Sequence, residues 1–426
     1  PPVASRPGHA EADRSPADAV IALARSIPIF ARKPASTATA LEFRVSPPLA
    51  LYVHVPWCVR KCPYCDFNSH EAAGAVPEAD YVAALIADLQ SALPLIWGRP
   101  LVSVFFGGGT PSLLSPAAID ELLAAFRALA MLSPGAEITL EANPGAVEAE
   151  KFAGFRAAGV NRLSLGIQSF NDAHLKALGR IHGAAEAKRA AQLAGDHFDS
   201  FNLDLMYGLP GQTTEQALTD VETALAFAPP HLSCYQLTLE PNTRFAAFPP
   251  ALPEDDLCAD MQEAIEARLA AAGYANYETS AFARPGRECR HNLNYWHFGD
   301  YLGIGAGAHS KLTLHDRVLR QMRWRHPDAY LENMRGGSPV QEAHEVAAGQ
   351  LPFEFLMNAL RLAAGFQPAL FEARTAQSVS RILPQLRAAA ADGLVDIGGE
   401  RIAPTVRGRR FLNVLLERFL DDGRAG

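Results

Sequence analysis

Short apolar runs rich in β-branched residues alternate with helical patterns along most of this chain, starting near residue 50. Six of these runs are predicted strands: "ALYVHVP", "LVSVFFGGG", "EITLEANP", "RLSLGIQS", "FNLDLMYGLP" and "HLSCYQLTLEP". Strand–helix repeats of roughly 30 to 40 residues indicate a parallel sheet, because parallel strands need a crossover connection. The strands are nearly continuous in apolar residues, which is typical of a sheet covered on both faces. The pattern predicts an α/β fold of six units, either an incomplete barrel or an open sheet.

Polar residues and glycines follow the predicted strands at their carboxyl ends. A cysteine-rich segment follows the first strand, and "GGGTPS" (107–112) follows the second. The third strand ends in Glu141 and Asn143, the fourth ends in Gln168, and the fifth contains Asp204. Both barrels and open sheets bind ligands at this end of their strands. We therefore expect these side chains to face one shared site.

The segment "HVPWCVRKCPYCDFNSH" (residues 54–70, the cysteine loop) brings three thiols close together. The spacing is C-x3-C-x2-C, formed by Cys58, Cys62 and Cys65. A structural zinc site needs four ligands and would have to recruit His54 or His70, and no second C-x2-C pair is present. A [4Fe–4S] cluster on three thiolates keeps one iron open for another ligand. The spacing favours the cluster over zinc.

This spacing at the end of the first strand, followed by GGGTP after the second, resembles the radical S-adenosylmethionine (SAM) superfamily. The resemblance covers at least residues 50–312 and implies a partial (β/α)6 barrel. It also implies that SAM chelates the open iron of a [4Fe–4S] cluster through its amino and carboxylate groups, and that the reduced cluster passes an electron to the sulfonium. The family's SAM contacts fall on Tyr52, Tyr64, Gly108, Gly109, Thr110, Glu141, Gln168, Arg180 and Asp204.

The strings "YVHVPWC", "RLSLGIQSF", "NLDLMYGLPGQT" and "HNLNYW" are similar to the coproporphyrinogen III dehydrogenase-like group of that superfamily. In the oxygen-independent dehydrogenase another cysteine stands where this chain has Phe67. Phe67 and "HNLNYW" (291–296) resemble the HemW branch, which is understood as a heme chaperone. That resemblance implies heme binding and delivery to heme proteins, with an electron donor if SAM is cleaved. The alternative is radical-SAM oxidative decarboxylation of coproporphyrinogen III in heme biosynthesis.

Heme needs an axial donor, and a neutral imidazole is a common one. His291 is the first candidate, because Tyr295 and Trp296 beside it can lie against the porphyrin. We expect this segment near the open end of the barrel. His309, in "GAGAHS", is the second candidate and can instead line the SAM site. A structural alternative is that His291 is buried and hydrogen-bonded in a segment that closes the barrel.

Three regions are predicted along the chain. Residues 1–46 read as a poorly ordered N-terminal extension, residues 47–312 as the barrel with its closing segment, and residues 313–426 as a C-terminal domain. The C-terminal pattern of helices, a hairpin "GLVDIGGERIAPT" and a last helix predicts a mixed α/β, winged-helix-like domain.

Composition excludes several other classes of function. The formal charge of −8 argues against bulk binding to nucleic acid, so we expect no DNA binding by the C-terminal domain. No apolar run reaches the roughly 20 residues of a membrane span. Six cysteines over 426 residues are too few for a disulfide framework, which predicts a reducing, cytoplasmic setting. The cysteines outside the loop, at 234, 258 and 289, are expected to be small buried side chains.

Overall fold

A computed structural model of the chain describes residues 41–145 and 149–420. Its largest element is a sheet of twelve strands, ordered β12-β11-β10-β9-β1-β2-β3-β4-β5-β6-β8-β7. The strands are β1 (Leu49–Val55), β2 (Pro100–Gly108), β3 (Met131–Ala142), β4 (Arg162–Gln168), β5 (Phe201–Tyr207), β6 (His231–Gln236), β7 (Ala275–Glu278), β8 (Ala281–Ala283), β9 (Asp300–Ile304), β10 (His309–Thr313), β11 (Val318–Arg323) and β12 (Val340–Glu345).

Strands β1 to β6 are the six predicted strands, and they pair in parallel in chain order. The predicted α/β class and parallel core are therefore confirmed. The sequence prediction did not include the strands at both edges. Strand β9 adds in parallel beside β1 and continues into antiparallel β10 to β12, while β8 and β7 add antiparallel beside β6. These edge strands are short and mixed in polarity, which weakens their sequence signal.

Helices connect the parallel strands and cover the sheet. Those of the barrel region are α1 (Glu78–Ile96), α2 (Pro116–Leu129), α3 (Phe152–Ala158), α4 (Asp172–Ala177), α5 (Ala184–His197), α6 (Thr214–Leu225), α7 (Arg244–Ala247), α8 (Asp255–Ala271), α9 (Arg290–Trp296) and α10 (Pro327–Arg335). Local sequence explains where several begin. Ser115 caps α2 by accepting from the Ala118 amide at 3.1 Å, and Thr213 with Gln216 forms a capping box on α6.

Helix α1 is, within the described ranges, the one helix whose length and hydropathy match those of a membrane span. In the structure its buried face packs into the core between α2 and the sheet. Asp88, in the middle of α1, forms a buried ion pair with Arg323 of β11 at 3.0 Å. These contacts are those of a core helix.

A second hydrophobic core lies in the C-terminal part of the chain, from Leu351 to Phe419, with contributions from Phe298 and Val318 of the barrel region. It contains helices α11 (Leu351–Ala359), α12 (Pro368–Thr375), α13 (Leu383–Ala391), α14 (Val406–Arg410) and α15 (Leu412–Glu417). Strands Val395–Gly398 and Arg401–Pro404 form the hairpin predicted from "GLVDIGGERIAPT". The mixed α/β C-terminal domain is confirmed.

The predicted region boundaries stay predictions, and the structure shows which elements lie at them. The boundary at 312/313 falls inside β10, and the sheet continues to Glu345 before the second core begins. Most of the predicted N-terminal extension lies outside the described residues. Of its described part, Leu41 and Phe43 pack against the second core, and the Phe43 amide donates to the His315 carbonyl at 2.9 Å.

Candidate functional site

A cleft opens at the carboxyl ends of the parallel strands. It is lined by the three loop cysteines and by every predicted SAM contact except Tyr52, namely Tyr64, Gly108, Gly109, Thr110, Glu141, Gln168, Arg180 and Asp204. These residues come from the ends of β2 to β5 and from the connections after β1 and β4. We call it the first cleft. The expected convergence of polar strand ends is therefore present in the structure.

The cysteine loop is held by contacts at both of its ends. Strands Trp57–Cys58 and His70–Glu71 pair in parallel across its base, and Lys61 Nζ donates to the carbonyl of Ser69 at 3.1 Å. His54 Nε2 lies 2.9 Å from the backbone carbonyl oxygen of Asn68, and the side-chain Nδ2 of Asn68 donates to the Ala306 carbonyl at 3.1 Å. The loop is thus tied to both β1 and the segment after β9.

The thiols of Cys58, Cys62 and Cys65 are half-buried at the edge of the first cleft and form no disulfide. Burial raises the pKa of the Cys58 and Cys65 thiols, so each gains from a neighbouring cation that stabilises its thiolate. This environment fits metal ligation.

The zinc alternative has less support from the geometry. Within residues 41–145 and 149–420, no group of three His, Cys, Asp or Glu side chains is gathered as a single metal ion requires. His54, a candidate fourth ligand, already contacts Tyr52 OH at 3.0 Å and the Asn68 carbonyl at 2.9 Å. Neither observation supports a zinc site formed by the three thiols and His54.

Arg180 places its guanidinium between the cysteine loop and β4. Its Nη1 donates to Cys62 Sγ at 3.5 Å, and its Nη2 donates to Asn143 Oδ1 at 2.7 Å and to the Gly166 carbonyl at 2.8 Å. Its Nε is buried and has no hydrogen-bond partner among the described residues. Arg180 itself lines the first cleft, so the structure brings a cation beside the cysteines.

Two carboxyl groups, Glu141 and Asp204, face the first cleft without an ion pair to any described basic side chain. Glu141 Oε2 accepts from the Gly108 amide at 3.2 Å, and Asp204 accepts from Asn202 Nδ2 at 2.7 Å. Burial, followed by the charge of Asp204, raises the pKa of Glu141 to about 8. Burial also raises the pKa of Asp204. Such a pair is best satisfied by a ligand with positive charge and hydroxyl donors, which SAM has.

The glycines after β2 have a role that the sequence did not reveal. Gly108 has a φ of +117°, and a Cβ there would lie 2.6 Å from Cε1 of His54. A Cβ on Gly109 would lie 2.5 Å from the Trp57 carbonyl oxygen and 3.1 Å from Cys58 Sγ. A side chain at either position therefore collides with protein before it reaches a ligand. The glycines let the end of β2 approach the cysteine loop closely.

Two polar residues of the first cleft, Asn143 and Tyr235, lie outside the predicted set of SAM contacts. Asn143 joins Arg180 to Thr110 Oγ1, to which it donates at 3.0 Å. Tyr235 OH donates to Gln168 Oε1 at 2.7 Å and helps to hold Gln168, whose φ of +69° is unusual for a residue other than glycine. Asn143 was visible as a polar strand end. For Tyr235, the only sequence signal of a place in the cleft was its position on β6.

A second cleft adjoins the first and shares Phe67, Gly108 and Glu141 with it. Tyr52 lines this second cleft and not the first. The other side chains that characterise it are Tyr295, Tyr301, His309, Met322 and Arg325. His309 is exposed to the cleft, and partial burial lowers the pKa of its imidazole.

The sequence led us to expect His291 near the open end of the strands. The structure places it away from that end. It lies on α9, and its amide donates at 3.0 Å to Oε1 of Glu137, the residue of β3 that pairs with Ser103 of β2. Its Nδ1 is 2.9 Å from Ser103 Oγ and its Nε2 is 3.2 Å from Tyr295 OH. Burial lowers the pKa of the ring to about 3. His291 therefore matches the alternative of a buried, hydrogen-bonded residue, and a role as heme ligand stays a prediction.

Comparison with known proteins connects these clefts to a family. Residues 52–224 match the radical SAM superfamily and residues 347–411 match the HemN C-terminal domain. The chain is 52% identical over 376 residues to the heme chaperone HemW of Escherichia coli (strain K12), covering 88% of this chain and 98% of that protein. It is 49% identical over 382 residues to the heme chaperone HemW of Haemophilus influenzae, again over 88% of this chain and 99% of that protein.

The fold is similar to that of a solved structure, the coproporphyrinogen III oxidase HemN from Escherichia coli, described as a radical SAM enzyme. The TM-score is 0.75 at 25% sequence identity, covering 88% of this chain and 90% of the other. Both the barrel and the C-terminal domain therefore have counterparts in known structures.

Proposed function

The chain belongs to the HemW family of heme chaperones within the radical SAM superfamily, and from this premise we propose that it binds heme and delivers it to heme proteins. The observation that carries the proposal is the pair of adjoining clefts. One has the thiols and unpaired carboxylates that suit a cluster and SAM, and the other has an imidazole, aromatic rings and a cation that suit heme. The two ligands are thus bound at neighbouring but separate places.

In the first cleft, Cys58, Cys62 and Cys65 are proposed to hold one [4Fe–4S] cluster. When bound, the cluster with SAM supplies one-electron chemistry. Arg180 is proposed to bind the SAM carboxylate beside Cys62, and a cleavage cycle would also require an external electron donor. These assignments follow from the family resemblance and agree with the unpartnered Nε of Arg180.

The carboxylates of Glu141 and Asp204 are proposed to accept hydrogen bonds from the SAM ribose or to balance its positive charge. The other predicted contacts shape the cleft. Tyr64 lies beside Arg180 and the cysteines, Thr110 is held by Asn143, and Gln168 is held by Tyr235. Tyr52 faces the second cleft, so it would contact SAM only if SAM extended past Gly108 and Glu141 into that cleft.

A second candidate function, oxidative decarboxylation of coproporphyrinogen III, is favoured by the structural similarity to HemN. Phe67 weighs against it. This side chain is 61% exposed and lines both clefts, at the position where the dehydrogenase carries an additional cysteine. A phenyl ring offers neither a thiol nor a proton for that chemistry, but it offers apolar surface to a flat aromatic ligand.

The two functions are separated by assays on the anaerobically reconstituted full-length protein. A heme chaperone gives a stable Soret band on titration with hemin and then transfers heme to an apo heme protein. A dehydrogenase converts coproporphyrinogen III to the divinyl product with SAM and a reductant. The chaperone proposal fails if hemin does not bind while coproporphyrinogen III is oxidised.

The setting proposed for this function is the cytoplasm, with apo heme proteins as the partners. All six cysteines are free thiols in the structure, as a reducing compartment permits. Delivery to another protein also agrees with the position of the second cleft at the surface, where its exposed residues include Phe67, His309 and Arg325.

A further inference from the structure

The second cleft carries a set of donors that no contact in the protein uses. His309 and Met322 stand directly opposite each other in the antiparallel pair of β10 and β11, and both line the cleft. The His309 ring is exposed and makes no hydrogen bond to another described residue. An imidazole and a thioether side by side are ligands that suit heme iron. Because both stand on one wall, a flat ligand lying against that wall would contact both.

The charges around this wall suit an anionic ligand edge. Arg325 is exposed at the cleft, and its guanidinium has no ion pair with any described residue. The neighbouring Arg320 is occupied by Glu354 at 2.6 Å and by Tyr301 OH at 2.6 Å. The acidic residues of the cleft, Asp66 and Glu141, lie on the side shared with the first cleft. The free cation can therefore pair with a carboxylate at the outer edge.

His291 contributes to this cleft only through another residue. Tyr295 lines the cleft, and its hydroxyl lies 3.2 Å from His291 Nε2, while Ser103 Oγ holds His291 Nδ1 at 2.9 Å. Phe105 stacks on the His291 ring with centroids 4.9 Å apart. These contacts fix the imidazole behind Tyr295. The side chain at 291 is therefore suited to orient the tyrosine and not to reach the cleft itself.

We propose that heme binds in the second cleft, with His309 as the iron ligand, Met322 against the same face of the macrocycle and Arg325 on a propionate, and that His291 is a positioning residue for Tyr295. This inference rests on the proposed function. Ligation by one imidazole keeps the opposite axial position open. An acceptor protein can then supply its own ligand before His309 releases the iron, as delivery requires.

The test is hemin binding to the full-length, cluster-reconstituted protein, followed by the Soret band and by electron paramagnetic resonance of the ferric heme. His309→Ala is expected to weaken hemin binding at least about tenfold and to shift the Soret band, and added imidazole is expected to restore the band. The matched control is His315→Ala, which removes an exposed histidine between the same two strands. It should bind hemin as the wild type does.

The second arm compares His291→Ala with Tyr295→Phe. If His291 acts through Tyr295, the two variants show the same change in hemin binding, and that change is smaller than the one in His309→Ala. Added imidazole should restore hemin binding in neither variant. The inference is overturned if His309→Ala binds hemin normally, or if His291→Ala abolishes the band while Tyr295→Phe retains it. In both cases the wild type still binds heme, so the chaperone function stands. A wild type that binds no hemin overturns the function and this inference together.

Discussion

Replacing Glu141 with glutamine should make the SAM-free protein more stable at alkaline pH and weaken its affinity for SAM. Glu141 is placed in the first cleft beside Asp204, where burial and that second carboxylate raise its pKa from 4.5 to about 8. Between these values the folded protein holds a proton that the unfolded chain has released. The free energy of unfolding of the wild type therefore falls as the pH rises through this window.

The size of the effect follows from the pKa change. The rise in the pKa of Glu141 from 4.5 to about 8 corresponds to a loss of about 5 kcal/mol in the free energy of unfolding above pH 8, at about 1.36 kcal/mol per pH unit. Glu141 is half-buried at an open cleft, so water screens part of this cost and about 2 to 3 kcal/mol is expected. Because Glu141→Gln removes this cost, the Tm of the variant should be about 3 °C higher for a chain of this length. Glutamine keeps an oxygen to accept from the Gly108 amide.

The assay is thermal or urea unfolding of the cluster-free, SAM-free protein at pH 5 and at pH 9. Glu141→Gln should match the wild type at pH 5 and exceed it at pH 9. Glu240→Gln, which removes the same charge elsewhere in the cleft lining, is the control and should not show this pH-dependent gain. Calorimetry on the reconstituted protein should show SAM affinity reduced about 10- to 100-fold by loss of a charged acceptor. A variant that is equally stabilised at both pH values, or is less stable at pH 9, would refute the reasoning.

Three further predictions concern the cluster, the core and the C-terminal domain. Serine at any one of the three loop cysteines (58, 62 and 65) should sharply reduce bound iron and sulfide after reconstitution, whereas serine at 234 should not; near-full iron in the loop variants would contradict the cluster assignment. Asp300→Ala should lower the free energy of unfolding by about 3 to 5 kcal/mol in urea titrations, because it leaves the buried ammonium of Lys311, which lies 2.9 Å away, without its partner. Asp316→Ala, in a partly exposed pair, is the control and should cost under about 1 kcal/mol. The full-length protein should give no sequence-selective, salt-dependent gel shift with duplex DNA, and such a shift would overturn the view of the C-terminal domain as a structural module.

The parallel core could be predicted because its signals are local. Strand composition, crossover length and the polar residues at strand ends are all read within short windows, and the pairing of β1 to β6 follows chain order. The edge strands β7 to β12 could not be predicted in the same way. Their stability depends on partners far along the chain, such as the Asp88–Arg323 pair that joins α1 to β11.

The candidate sites, like the fold, could be predicted from the sequence only in part. The spacing of the three cysteines and the family strings indicated which residues to consider. The environment of His291 was not visible, because its partner Ser103 is 188 residues away. Likewise, the reason for Gly108 is the ring of His54, which approaches only after β1 and β2 have paired.

The class of fold, the order of the parallel strands and the kinds of ligand groups at their ends could all be predicted from local sequence patterns. Which cleft each group faces became known only from the folded chain. It put Tyr52 with His309 and Met322 in the second cleft, and put His291 behind Tyr295. The physical reason is that spacing along a chain specifies short-range geometry. The direction of a buried polar side chain is instead set by whichever distant groups satisfy its hydrogen bonds.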